Sequence, residues 1–227
     1  SLPIRPRLIL PCVALGTATF IMQASESVIS VCFNASLLKY GGDLAVGAMT
    51  ILSSVMQFAL LPLQGIAQGS QPITSYNFGA GNVGRVRETF RRMLTACLCY
   101  SCGLWALIML FPQAFASLFS SDAELIAFTA KALRVYCGAL FLFGIQSACQ
   151  ITFVSIGNAP CSIFVAVLRK FILLIPLIYL LPHLLADQTM AVYAAEPAAD
   201  AIAVTCTLLL FLWQFRKALR KLEKQTA

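Results

Sequence analysis

Charge is scarce in this sequence. Lys, Arg, Asp and Glu together make up 11% of its 227 residues, against about a quarter in an ordinary soluble domain, and His183 is its single histidine. The shortage excludes most catalytic chemistry. One histidine without a neighbouring cysteine pair cannot build a zinc site, and neither a phosphate loop nor a Ser-His-Asp order is present, so no enzyme is expected. A cleavable signal peptide is not recognisable either. Cysteine is not lacking, but all nine (Cys12, Cys32, Cys97, Cys99, Cys102, Cys137, Cys149, Cys161 and Cys206) fall in or beside apolar stretches, where they read as small core residues. The Cys99-x-x-Cys102 spacing lies mid-stretch with no second pair, which argues against a metal or a redox dithiol. No cofactor is expected.

What the chain has instead is apolar length. Hydrophobic residues reach 59% and the mean hydropathy is +0.84, values that make lipid rather than water the main solvent. At about 20 apolar residues per span, the runs at 8–38, 44–73, 93–118, 135–156, 162–181 and 191–213 predict six membrane helices. The expected fold class is therefore an all-α integral membrane bundle of six helices. A membrane barrel is excluded because the runs are continuous rather than alternating segments of about ten residues.

The net charge of +7 does not point to nucleic acid, since the basic residues sit in short clusters between spans. They sort thirteen to three: Arg5, Arg7, Arg85, Arg87, Arg91, Arg92, Arg169, Lys170, Arg216, Lys217, Arg220, Lys221 and Lys224 on one side, Lys39, Lys131 and Arg134 on the other. By the positive-inside rule both termini are expected in the cytoplasm, with the loops near Lys39, Asp122 and Asp187 outside. In the 77–92 connection, Arg85, Arg87, Arg91, Arg92 and Glu88 recur at helical spacing. That segment reads equally as a short amphipathic surface helix or a solvated basic loop.

Inside the spans, polar side chains line up. Thr19, Gln23, Glu26, Ser30 and Asn34 follow spacings of four, three, four and four, which keeps them on one helix face. Thr50, Ser54, Gln57, Gln64, Gln68 and Gln71 do the same in the second span, where Pro62 is a candidate kink. The glutamines either hydrogen-bond neighbouring helices or line a wet cavity, and the pattern leaves both open. Glu26 is more demanding. No basic residue shares its span, so an ionised carboxylate there needs water, a cation or a basic partner from another helix, and otherwise a proton. Gln23 and Ser30 could supply oxygen ligands to sodium or hydrogen bonds to the protonated acid.

The sixth span is expected to open with Ala195-Glu196-Pro197-Ala198-Ala199-Asp200, with Pro197 in the first turn and both acids on one face. Two acids there suit the helix dipole as well as they suit a function. Arg169 and Lys170 lie about two turns from the cytoplasmic end of the fifth span, within snorkelling distance.

Three sets of residues carry a resemblance: Tyr40-Gly41-Gly42-Asp43 with Leu61-Pro62-Leu63-Gln64-Gly65-Ile66-Ala67-Gln68-Gly69-Ser70-Gln71-Pro72; Tyr76-Asn77-Phe78-Gly79-Ala80-Gly81-Asn82; and Glu196-Pro197-Ala198-Ala199-Asp200. With Leu118 to Asp122 and Ile175-Pro176-Leu177, they closely resemble the second half of the multidrug and toxic compound extrusion (MATE) family. The resemblance implies one six-helix lobe of a twelve-helix transporter, whose N-terminal lobe would be the partner of this one. As the chain opens at Ser1 rather than methionine, residues upstream are expected. It also implies residence in the bacterial inner membrane, and export of drugs or organic cations in exchange for sodium or protons through a cavity between lobes. In members with a cation site in this lobe, an acid ten residues after a glycine corresponds to Glu26 after Gly16. Gln23, Ser30 and Asn34 would then help couple the ion, and Gln57, Gln64, Gln68, Gln71, Gln146 and Gln150 would line the substrate cavity. Gln146 and Gln150 stand on the helix where such members carry a second acid. Arg169, Glu196 and Asp200 form a secondary candidate group. A lipid-linked oligosaccharide flippase of related architecture and a non-transporting fragment are the alternatives. A flippase would be expected to show more cationic cavity residues to hold pyrophosphate.

Overall fold

A computed structural model describes the backbone of residues 6–226 and the side chains of residues 26–158 and 160–222. Among these residues every regular element is helical. The elements are α1 (Pro6–Gly79), α2 (Val83–Leu110), α3 (Pro112–Ser117), α4 (Ala123–Tyr136), α5 (Phe143–Ser155), α6 (Ala159–Val167), α7 (Ile175–Leu184) and α8 (Gln188–Thr226).

Among the described residues, four stretches are long and apolar enough to cross a membrane: Glu26–Gly79, Val83–Leu110, Pro160–Leu184 and Gln188–Leu222. A fifth, Ala123–Tyr136 with Leu140–Ser155, is bent by 45° at its break. The 54 residues of the first stretch, as one straight rod, would reach about 80 Å, twice the depth of a bilayer with its headgroups. Gly42 divides it. Its φ of 66° and ψ of −161° lie in a region open to glycine, and they interrupt α1 between two limbs. Gly41 answers a different need. A Cβ placed there would meet Thr189 Cγ2 at 2.5 Å and Ala45 Cβ at 2.6 Å, so the start of α8 can approach the kink only because that side chain is missing.

Two hydrogen bonds fix this approach. Thr189 donates its hydroxyl to the Tyr40 carbonyl at 2.9 Å, and the buried Tyr193 hydroxyl donates to the Ala45 carbonyl at 2.7 Å. Around them lies the main core, in which Phe33, Leu37, Leu52, Leu133, Ile178 and Tyr193 are fully enclosed. A smaller aromatic core joins α2, α5 and α8. There Phe90 and Phe211 stack with centroids 4.7 Å apart, and Phe211 meets Phe153 edge-on at 5.3 Å.

Several element boundaries differ from those expected. The basic segment around Arg85–Arg92 is neither a separate surface helix nor a loop; it forms the first turns of α2, because the chain reverses within a short turn at Gly81 (φ 75°). The third apolar run ends at Leu110, where Pro112 starts the separate α3. Pro62 sits within the second limb of α1 without any non-helical dihedral there. The last helix begins at Gln188, not near Glu196. Asp187 caps it by accepting from the Met190 N–H at 3.0 Å, so Pro197 lies deep inside α8 rather than in its first turn.

Candidate ion and substrate site

Between α6 and α7 the helix widens into a π-helical segment, Leu168–Leu174. Such widenings are rare and concentrate at functional sites. This one carries Arg169 and Lys170, which fall within the most apolar of the membrane-crossing stretches, at a mean hydropathy of 2.3. Neighbouring residues on a helix point in different directions. Here Arg169 meets α8 and Lys170 meets α1.

Arg169 bridges two carboxylates. Its Nη2 donates to Glu196 Oε1 at 3.0 Å, and its Nε donates to Asp200 Oδ1. Glu196 and Asp200 are spaced i, i+4 on α8, which stacks both acids on the face turned to the π segment. The three side chains are 18%, 11% and 3% exposed, so neither arginine nor acid reaches out to the membrane surface. Phe143 of α5 lies under the guanidinium at 4.8 Å from its ring centroid, adding a cation–π contact. From α4, the buried Tyr136 is within electrostatic reach of Arg169, Glu196 and Asp200.

Lys170 pairs with Glu26. The basic partner that Glu26 lacks in its own span therefore comes from the π segment, and neither Arg169 nor Lys170 snorkels. Lys170 is also within electrostatic reach of Glu196. Glu26 itself is 55% exposed, and Ser30 and Asn34 on the same face are exposed with it. Gln23 lies outside the described side chains.

The other stripe sorts differently. Thr50 and Ser54 return their hydroxyls to carbonyls of their own helix, Val46 at 3.3 Å and Thr50 at 2.9 Å. Gln57, Gln64 and Gln68 are exposed and Gln71 is half-buried. The glutamine face is thus an outer surface of this bundle and is not consumed by packing within it. Gln146 and Gln150 part company with it: both sit on α5, Gln146 buried with its Oε1 unpartnered and Gln150 half-buried. Gln146 follows Phe143 by one turn, on the side of α5 that meets Arg169.

The structure thus joins Glu26 to Arg169, Glu196 and Asp200 through Lys170 and leaves the Gln57–Gln71 face apart. Sequence reasoning placed the acids but missed Lys170 as the partner of Glu26, and missed Tyr136 and Phe143 altogether. Two adjacent basic residues inside an apolar run were the available signal for the first; nothing in the pattern marked the other two.

The described residues form an all-helical bundle of membrane-crossing stretches with a charged group buried between them. The MatE family model matches residues 18–180, and the chain belongs to that family. The multidrug export protein MepA of Staphylococcus aureus (strain NCTC 8325 / PS 47) is 22% identical over 202 residues, covering 89% of this chain and 44% of the relative. The chain thus spans less than half the length of that relative. A solved inward-facing multidrug resistance MATE family transporter of the MOP superfamily matches 99% of this chain and 51% of its own, with a TM-score of 0.86 at 20% identity. The solved MATE multidrug transporter DinF-BH matches 90% of this chain and 45% of its own, with a TM-score of 0.75 at 33% identity. Family members are transporters rather than enzymes, and this chain has the fold of one lobe.

Proposed function

We propose that the chain is the lobe of a bacterial inner-membrane multidrug exporter that couples outward movement of organic cations to inward movement of an ion, with both of its ends on the cytoplasmic side. The observation that carries this reading is Glu26, an acid within a membrane-crossing stretch whose side chain is half exposed on the same surface as Ser30 and Asn34. An ionised group at that depth is costly without a role. A carboxylate open to one side of the bundle can exchange its partner for a cationic ligand, and the exposed Gln57, Gln64 and Gln68 face offers hydrogen bonds to a polarisable substrate without adding charge. Enclosure of the substrate requires a second lobe, in keeping with relatives about twice as long. The flippase alternative finds less support, because the basic residues of the π segment are turned onto acids rather than left to hold pyrophosphate.

The test is transport by the whole protein carrying this lobe, reconstituted in vesicles with a lipophilic cation and an imposed proton or sodium gradient. Gradient-driven cation movement is expected. Movement of lipid-linked pyrophosphates without cation export would favour the flippase, and the 227-residue chain tested alone addresses the non-transporting fragment. Accessibility labelling should place Lys39 and Arg87 on opposite sides of the membrane.

A further inference from the structure

From Met93 to Leu110, α2 carries no charged side chain. As a helix that run rises about 27 Å, close to the roughly 30 Å hydrocarbon core of a bilayer. With Arg91 and Arg92 at one boundary of the core, Leu110 and Phe111 stand at the other. Pro112 ends the helix there and starts α3, and the chain returns through α4. The corner between them leaves a groove of about 550 Å³, within the range of ligand pockets, about 300–1,000 Å³. Leu110 and Phe111 form its apolar border, 68% and 58% exposed, and the small side chains of Ala114, Ala127 and Ala130 leave it unfilled.

The charge in this groove is of one sign. Lys131 and Arg134 line it from α4, one turn apart on the face that also carries Ala127 and Ala130, and both are exposed. Among the described residues neither has an ion pair or a side-chain hydrogen bond. No acid lines the groove; Glu124, on the same helix, lies about 10 Å along the axis from Lys131. Like charges one turn apart repel. Basic residues are otherwise scarce on this side of the chain, where Lys131 and Arg134 are two of three against thirteen on the other. An anion held between them would offset that repulsion.

We infer that this groove holds one anionic phospholipid, with its phosphodiester on Lys131 and Arg134 and the upper part of its acyl chains on Leu110 and Phe111. Depth selects a lipid over a dissolved anion: both bases stand at the hydrocarbon boundary, where the phosphates of one leaflet lie. Guanidinium and ammonium groups make charge-assisted hydrogen bonds to phosphate oxygens, and basic pockets beside membrane helices recruit anionic headgroups. The apolar border has the same meaning, since a small anion would leave Leu110 and Phe111 without a partner. Gln113, the other polar side chain of the groove, is exposed and can hydrogen-bond the hydroxyls of a glycerol headgroup. The inference goes beyond the efflux reading and does not depend on it, because the groove shares no residue with the ion and substrate site.

The experiment uses the whole transporter in detergent, titrated with phosphatidylglycerol and with phosphatidylcholine of the same chains, and counts bound lipids by native mass spectrometry. The tightest-held lipid should be phosphatidylglycerol, preferred about tenfold over phosphatidylcholine. Lys131→Gln combined with Arg134→Gln should abolish that preference. Lys39→Gln, which removes a base from the same side but outside the groove, should keep it. Ala127→Trp retains both bases and fills the groove, and it should weaken phosphatidylglycerol binding about tenfold. All four positions are exposed, so these variants keep the fold. Glycerol 3-phosphate, a headgroup without chains, should not displace the lipid at equal concentration. A preference that survives in the double variant, or tight binding that survives in Ala127→Trp, would overturn the inference. Equal displacement by glycerol 3-phosphate would overturn it in favour of a free-anion site, and an equal loss in Lys39→Gln would reduce it to general surface charge. A dimer that disappears in Ala127→Trp would overturn it by placing a second copy of the protein in the groove.

Discussion

The hydroxyl of Tyr193 reaches across from α8 to the carbonyl of Ala45, 2.7 Å away and three residues beyond the Gly42 break. Glu196 follows Tyr193 by one helical turn, so the bond that anchors α8 to the kink also sets the height of the acids beside the π segment. Tyr193→Phe should cost about 1 kcal/mol, a typical net value for one such bond. Unfolding of the purified transporter in detergent measures this, and an unchanged midpoint would show that packing alone holds the contact.

Gly41→Ala places a methyl group against Thr189, whose side chain is held by its bond to the Tyr40 carbonyl. A loss of about 1–3 kcal/mol is expected from overpacking. Because one of the two close contacts is with the Thr189 methyl, the other being with Ala45 Cβ, Gly41→Ala combined with Thr189→Ser should regain part of that loss, since serine keeps the hydroxyl and lacks the offending methyl. Additive losses in the double variant would contradict a direct contact.

Arg169→Met should be the most damaging single change in the bundle. It leaves Glu196 and Asp200 facing each other without their guanidinium, for which about 3–5 kcal/mol is expected. Combining it with Glu196→Gln and Asp200→Asn removes the stranded charges and should recover much of the folded yield. The comparison is read from monodisperse protein after extraction, and no recovery in the triple variant would mean that arginine acts mainly through its packing on Phe143.

These outcomes follow from contacts that sequence periodicity could not supply. The chain's apolar runs gave away the helical membrane fold, and a 3.6-residue repeat was enough to put Glu26, Ser30 and Asn34 on one face. That repeat says nothing about what lies opposite a face, so the pairing of Glu26 with Lys170 became visible only in three dimensions. The gap between the apolar runs at 8–38 and 44–73 marked the break between the first two spans, although only the structure shows that Gly42 makes the turn and Gly41 makes the room. Pro197 misled in the other direction: a proline signals a helix start when read alone, but Asp187 had already capped α8 well upstream. Arg169 and Lys170 marked the π segment as unusual, but the widening of the helix itself left no trace, since it has no residue spacing of its own.

The Gln57, Gln64 and Gln68 face gives a prediction for substrate handling. These side chains are exposed on the bundle, and leucine in place of Gln68 removes hydrogen-bonding capacity without creating a cavity. Gln68→Leu should lower cation export several-fold while the amount of folded protein stays the same. Export assays paired with extraction yield check both halves, and unchanged export across several substrates would mean that this face meets lipid or only packs against the other lobe.

The central claim is that Glu26 exchanges a charged partner during transport, and Glu26→Gln tests it most directly because the shape is kept while the charge is removed. In vesicles containing the whole transporter, export of a lipophilic cation should then fall at least tenfold and lose its dependence on the imposed ion gradient. Export by Glu26→Gln at the unaltered rate, with the same gradient dependence, would contradict the account and leave Glu26 as a partner to Lys170 with no part in coupling.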